Sequence, residues 1–120
     1  MAKVLISPGK YVQGAGEMKK LGEYAQNYGK KALILISKGG YKRIGAMVEK
    51  SFEGKECGYV FDYFNGECSK KEIKRLGEIV KKEACDVVIG IGGGKIFDTA
   101  KAVAYYEKTP VLICPTIAST

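Results

Sequence analysis

The sequence predicts an α/β domain, a mostly parallel sheet with helices on both faces. Three observations lead there. Short apolar runs alternate with stretches of helical period along the chain. The runs Ala32-Leu33-Ile34-Leu35-Ile36 and Val87-Val88-Ile89-Gly90-Ile91 are continuously apolar, the pattern of strands buried on both faces. The second run enters three consecutive glycines, and a helical pattern follows at once, with Ile96, Ala100, Val103 and Ala104 on roughly one face.

Taken in order, Val4-Leu5-Ile6 reads as a short strand closed by Ser7-Pro8-Gly9, where proline fixes one φ and glycine takes the reversed one. Tyr11-Val12-Gln13 is a second short strand candidate ahead of Gly14-Ala15-Gly16. A helix is expected over 17–28, with Met18, Leu21, Tyr24, Ala25 and Tyr28 on one face and Gly29 as its stop. Beyond the buried run, Ser37-Lys38-Gly39-Gly40 is a loop at the carboxyl end of that strand. A second helix is expected over 41–52, with Ile44, Met47, Val48 and Phe52 turned inward and Gly54 past its end. Tyr59-Val60-Phe61 makes the next strand, and Asn65-Gly66 signals a turn. Ser69-Lys70-Lys71-Glu72 has the form of a capping box, heading a third helix that carries Ile73, Leu76, Ile79, Val80 and Ala84 at helical period. The helix after the glycines continues to Tyr106. Thr109-Pro110 then leads into Val111-Leu112-Ile113, which opens onto Pro115-Thr116-Ile117-Ala118-Ser119-Thr120. No internal repeat, linker or low-complexity tract interrupts this order.

A chain of 120 residues makes one domain, 1–120, able to bury roughly two-thirds of its unfolded surface. Its 46% apolar and 28% charged content is ordinary for a globular protein. No apolar run approaches the roughly 18 residues of a membrane span, and the first residues lack a signal-peptide pattern, so a cytoplasmic protein is expected. Cys57, Cys68, Cys85 and Cys114 are scattered without a C-x-x-C pair, which predicts neither a metal knuckle nor a disulfide framework. Cys114, inside an apolar run, reads as a small core residue. The sequence contains no histidine, which excludes imidazole acid–base chemistry and imidazole ligands within it. The net charge of +7 is spread over pairs such as Lys19-Lys20, Lys70-Lys71 and Lys81-Lys82 on polar helix faces. With no aromatic-interleaved basic motif, these read as solvated surface and not as a nucleic-acid interface.

The glycine turn is the stretch that points to chemistry. Glycine removes the Cβ that would hold a ligand off the backbone, and the helix start behind it offers unpaired N–H groups and a partial positive charge. The G-x-G-x-x-G fingerprint is matched by Gly90 and Gly92, but Lys95 stands at its third glycine. The P-loop pattern fails, because Ile96 follows Gly94-Lys95 and Ile89 holds the first glycine position. A bland reading is a tight strand-to-helix turn; three glycines closed by a lysine favour an anion site over it.

At this point the motifs carry a resemblance. Gly92-Gly93-Gly94-Lys95-x-x-Asp98-Thr99-Ala100-Lys101-Ala102, followed by Pro115-Thr116-Ile117-Ala118-Ser119-Thr120, resembles the glycerol dehydrogenases of the iron-containing (group III) alcohol dehydrogenase family, whose fold is dehydroquinate synthase-like. Ser7-Pro8-Gly9-Lys10-Tyr11 and Gly66-Glu67-Cys68-Ser69 resemble the same enzymes, the latter without evident chemistry. The resemblance covers all 120 residues but only the family's N-terminal, Rossmann-like nucleotide-binding domain. It implies a helical C-terminal metal domain absent here, and hence a truncated or partial chain, inactive by itself.

The resemblance implies that Gly92, Gly93, Gly94, Lys95, Ile96, Phe97 and Asp98 meet a dinucleotide, chiefly through backbone at the pyrophosphate. Lys95 adds charge there, or is simply a surface lysine. Asp98 is expected in the first helical turn, where a carboxylate also suits the helix dipole without any ligand. Thr116, Ile117, Ala118 and Ser119 match a second cofactor loop, with plain turn chemistry as the alternative for the hydroxyls. Ser37 stands where glycerol dehydrogenases carry an aspartate resembling the ribose-binding acid; serine keeps a hydrogen bond but no charge against a 2′-phosphate, so NAD is expected with tolerance of NADP, an ordinary solvated loop being the alternative.

The implied reaction oxidises glycerol or a similar polyol to a ketone with NAD, a divalent metal polarising the alcohol oxygen. The family holds zinc through an aspartate and two histidines of its later domain, and its polyol-contacting aspartate falls just past Thr120, so no catalytic or metal residue is expected within 1–120. Rivals are a piece of another group III alcohol or glycerol-1-phosphate dehydrogenase, against which Lys95 argues, and a non-catalytic nucleotide-binding or assembly module. Strand ends near Ser37, Gly92 and Thr116, uncovered by a second domain, lead to an expectation of weak cofactor binding and of self-association, into homo-oligomers or aggregates.

Overall fold

The computed structural model describes residues 9–12 and 16–116. The strand expected at Val4-Leu5-Ile6, its turn residues Ser7 and Pro8, and Gln13 lie outside the described residues, as do Ile117, Ala118, Ser119 and Thr120.

Within them the chain forms strands β1 (Gly9–Tyr11), β2 (Lys31–Ile36), β3 (Gly58–Tyr63), β4 (Val87–Gly92) and β5 (Val111–Pro115). Four α-helices intervene: α1 (Leu21–Ala25), α2 (Lys38–Ser51), α3 (Lys70–Glu83) and α4 (Gly94–Glu107). All five strands pair parallel in one sheet, in the order β1-β5-β4-β2-β3. The predicted fold class is therefore the observed one. From β2 the chain moves outward through α2 to β3, returns through α3 to β4 on the other side of β2, and continues outward through α4 to β5. The direction of winding reverses between β2 and β4. In open parallel sheets the crevice outside the carboxyl ends of strands at such a reversal is where ligands bind.

Both faces of the sheet are covered because β2 is apolar from Ala32 to Ile36 and β4 from Val87 to Ile91. Ala32, Ile34, Ile36, Val87, Ile89, Ile91, Leu112 and Cys114 pack under Leu21, Ala25, Val48 and Phe52 of the α1–α2 side. Leu33, Leu35, Val88, Val111 and Ile113 pack under Leu76 and Val80 of α3 and Ile96, Ala100, Val103 and Ala104 of α4. The strand period of two sends neighbours to opposite layers. Burial pushes the thiols of Cys57 and Cys85 up to about 11 and that of Cys114 to about 12, so all three stay protonated small core residues.

The amino edge of the sheet is tied by Asp86. Its Oδ1 accepts the backbone N–H groups of Lys30 and Lys31 at 2.8 and 2.9 Å. Beside it, Asp86 N–H donates to Lys31 O at 2.9 Å and Gly58 N–H to Lys30 O at 2.8 Å. β2, β3 and β4 thus start in fixed register.

Several elements differ from expectation. β1 begins at Gly9, two residues before the strand expected at Tyr11, because Gly9 and Lys10 pair with Val111 and Leu112 of β5. The helix expected over 17–28 is a 3-10 turn (Glu17–Lys20) followed by the five-residue α1. The Gly22 N–H, a first-turn donor of α1, goes to Ser51 Oγ at 3.0 Å. A Cβ at Gly22 would lie 2.2 Å from Ser51 O, so the segment is pressed onto the end of α2.

α2 starts three residues earlier than expected, since Ser37 Oγ accepts the Gly40 N–H at 2.9 Å and caps the helix. The expected loop 37–40 is therefore a cap and a first turn. Met47 is 38% exposed and not inward; it borders a shallow depression with Lys19, Ala46 and Lys50. Ala84 also misses the core, standing exposed in the left-handed conformation (φ 56°) as the C-cap of α3. Ser69 does cap α3, its Oγ accepting the Glu72 N–H at 3.1 Å.

Candidate functional site

The site is built where β4 runs into α4. Gly90 lets α4 lie close on the sheet: a Cβ there would come 2.9 Å from Ala100 Cβ. Gly92, at φ +146°, would place a Cβ 2.7 Å from Ile96 Cδ1 in a conformation that side chains disfavour. These two glycines are set by packing. Gly93 and Gly94 are different, because a Cβ on either would meet nothing within 4 Å. They are exposed and open onto the carboxyl edge of the sheet.

Helix capping separates α4 from its neighbours. α2 and α3 are each closed by a serine hydroxyl, whereas α4 has Gly93 at its N-cap, no side-chain cap and no acid in its first turn. Its first backbone bond runs from Phe97 N–H to Gly93 O at 3.0 Å. The N–H groups of the first turn thus face the edge with the positive end of the dipole and no side-chain hydroxyl over them, a ready anion-binding arrangement.

The remaining candidates fall around this helix start. Ile96 is buried and Phe97 half-buried against the α3–α4 core, so what these two offer a ligand is backbone. Lys95 is exposed, its Nζ 3.4 Å from Glu67 Oε2 in the loop between β3 and α3. Asp98 is exposed but lies in the second turn of α4 and not the first, because the helix already begins at Gly94.

Across the reversal point, Ser37 is half-buried at the head of α2, its oxygen engaged by Gly40 N–H. Lys38 beside it is exposed and reaches over the ring of Tyr63 at the end of β3, 5.9 Å from the centroid. Thr116 follows β5, and its N–H donates to Gly92 O at 3.2 Å. Ser37, the run from Gly92 to Asp98 and Thr116 therefore share one edge of the sheet. Ile117, Ala118 and Ser119 lie outside the described residues.

Two features of this edge escaped the sequence reading. Glu67 belongs to a motif read as structural, yet its carboxylate stands against Lys95. Glu72, expected to reciprocate the cap at Ser69, is instead 1% exposed and bound to Arg75, with Asn65 N–H donating to its Oε2 at 3.3 Å. The Arg75 guanidinium holds the Glu72 carboxyl below its ordinary range, against the opposing effect of burial. Arg75 also donates to Asp62 and to the carbonyl of Tyr63, so it anchors the loop that carries Glu67.

Among the described residues, no three or more His, Cys, Asp or Glu side chains come together as a metal site. No helix among them is long and apolar enough to cross a membrane.

Comparison with known proteins decides the family. The model for iron-containing alcohol dehydrogenases matches residues 8–120. The chain belongs to the iron-containing alcohol dehydrogenase family. It is 43% identical over 120 residues to the glycerol dehydrogenase of Citrobacter freundii, covering 100% of this chain and 33% of that protein. It is 47% identical to the glycerol dehydrogenase of Thermotoga maritima, covering 100% of this chain and 32% of that one. Among solved structures of the family, a probable glycerol dehydrogenase from Sinorhizobium meliloti superposes with a TM-score of 0.76 at 40% identity, over 94% of this chain and 30% of that one. The glycerol dehydrogenase of Schizosaccharomyces pombe gives 0.78 at 30% identity, over 92% and 28%. The chain thus spans about a third of the length of the curated relatives it matches.

Proposed function

We infer that residues 1–120 are the dinucleotide-binding domain of an NAD-linked glycerol dehydrogenase. The carrying observation is the open start of α4: Gly93 and Gly94 have free space where a side chain would stand, on a helix with no side-chain cap. The first-turn N–H groups of α4 and the Lys95 ammonium would hold a pyrophosphate there. Gly90 and Gly92 keep the helix against the sheet, and Ile96 anchors it from beneath.

Ser37 and Thr116 flank the start of α4 from β2 and β5. Ser37 keeps its hydroxyl hydrogen free to donate while its oxygen caps α2, which suits an adenosine ribose. With Lys38 beside it and no carboxylate at position 37, a 2′-phosphate is accommodated as well, so NADP is tolerated beside NAD. The bound nicotinamide supplies a hydride acceptor for oxidation of glycerol or a similar polyol to the ketone. The chain's own part is to hold the dinucleotide; with no histidine in its sequence, it offers no imidazole for the family's metal. The buried, protonated thiols Cys57, Cys85 and Cys114 suit a reducing compartment, and we assign the protein to the cytoplasm.

The test is a calorimetric titration of the 120-residue chain with NAD and then NADP, with Gly94→Asp as control. Position 94 has room for the new side chain, so the variant folds, and its carboxylate repels the pyrophosphate. Saturable binding lost in that variant supports the reading; a folded chain that binds neither dinucleotide overturns it.

A further inference from the structure

We propose that Glu67 is an internal competitor for the cofactor's phosphates, the counter-ion that Lys95 leaves when a pyrophosphate-bearing nucleotide enters. The inference rests on the cofactor site proposed above and concerns how that site sets its affinity.

Three observations carry it. Lys95 is the second residue of α4, where a cation opposes the positive end of the helix dipole. α4 has no acid in its first turn to offset that charge, and Gly93 supplies no capping oxygen. The negative charge arrives instead from another loop, with Glu67 Oε2 3.4 Å from Lys95 Nζ. Among the described residues, Glu67 is the acid recorded within ion-pair distance of Lys95.

The side chains of Lys95 and Glu67 are 65% and 74% exposed, so the pair is weak enough to open. The Glu67 loop is nonetheless held in place, because Arg75 and Glu72 fix both Asn65 and the end of β3. The loop backbone thus keeps Glu67 within reach of Lys95, and the ion pair with Lys95 is what holds its exposed carboxylate at the helix start. A bound pyrophosphate takes over as partner of Lys95 and must displace this carboxylate from it. Glu67 lowers affinity for the anion and keeps α4 electrostatically balanced without it.

Titration with NAD at low salt of the wild type, Glu67→Gln, Lys95→Met and the double variant tests this. Glu67→Gln is expected to tighten NAD binding roughly two- to fivefold, the size of an exposed ion pair. Lys95→Met weakens binding, and adding Glu67→Gln to it changes affinity less than twofold. Unchanged or weaker binding by Glu67→Gln, in a wild type that does bind NAD, overturns the role of Glu67 and leaves the site intact. An undiminished gain in the Lys95→Met background also overturns it, since Glu67 would then act on the ligand without Lys95. A wild type that binds no dinucleotide removes the site reading and this inference together.

Discussion

Arg75 grips Glu72 with two parallel hydrogen bonds, Nε to Oε1 and Nη2 to Oε2, each 2.8 Å long. The carboxylate is 1% exposed while the arginine side chain is 42% exposed, so the pair is sealed on one side only. Arg75→Ala would leave Glu72 buried without its main partner. The loss expected is about 2 kcal/mol of folding stability, below the value for a fully buried pair because Arg75 is partly solvated. Urea unfolding at neutral pH measures it.

The same pair sets a pH dependence. The folded-state pKa of Glu72 lies below its ordinary value of 4.5, with Arg75 the largest cause. Its contribution is complete above the ordinary carboxylate range and is withdrawn as pH falls through the depressed value. The stability difference between wild type and Glu72→Gln should be constant from pH 7 to about 5. It should then narrow on further acidification; a difference that grows toward low pH would contradict the assignment.

The four glycines around β4 should separate into two pairs. Gly90→Ala forces a methyl against Ala100, and Gly92→Ala adds positive φ to a contact with Ile96; each is expected to cost about 1–3 kcal/mol. Gly93→Ala and Gly94→Ala meet nothing. Gly94→Ala should change stability by less than about 0.5 kcal/mol and Gly93→Ala, at the N-cap, by at most about 1 kcal/mol, while both weaken NAD binding. Thermal melts with and without NAD distinguish the pairs.

Ser37 serves as a cap and, in our reading, as the ribose contact. Ser37→Ala should cost about 1 kcal/mol through loss of the cap to Gly40 N–H. Ser37→Asp keeps a capping oxygen, and should retain stability while reducing NADP affinity relative to NAD by roughly tenfold. Paired titrations with both dinucleotides decide this.

Thiol labelling gives a separate check on the core. Cys68 is exposed, whereas Cys57, Cys85 and Cys114 are buried. At pH 8 a disulfide reagent should modify one thiol rapidly, and the others only after unfolding.

Elements whose signal is carried by their own residues were legible in the sequence. β2 and β4 announce themselves by unbroken apolar runs, and α4 by the spacing of Ile96, Ala100, Val103 and Ala104. Ser69 reads as a cap because its partner Glu72 is three residues away. What was missed depends on partners distant in sequence. The start of the first helix is seated on Ser51, 29 residues from Gly22. Glu72 turns from the cap to Arg75 because Asp62 and Tyr63 place that arginine over it. The Lys95–Glu67 contact requires α3 and α4 to lie side by side, and nothing local to either motif reports it. Asp98 was misplaced for a simpler reason: glycine has low helix propensity, yet Gly94 is already helical.

Asp86 ties β2 to β4 at the amino edge, while the glycine turn, Ser37 and Glu67 sit at the opposite rim. Tolerance to mutation should therefore be polarised along the strand axis. Substitutions near Lys30, Asp86 and Pro110 alter how firmly the strands stay aligned and leave ligand affinity alone. Those near Ser37, Glu67 and Gly93 retune affinity at nearly constant melting temperature, provided the capping oxygen at 37 is kept. A library sorted first for folding and then for NAD binding should divide along that line, so one rim can diversify without unmaking the other.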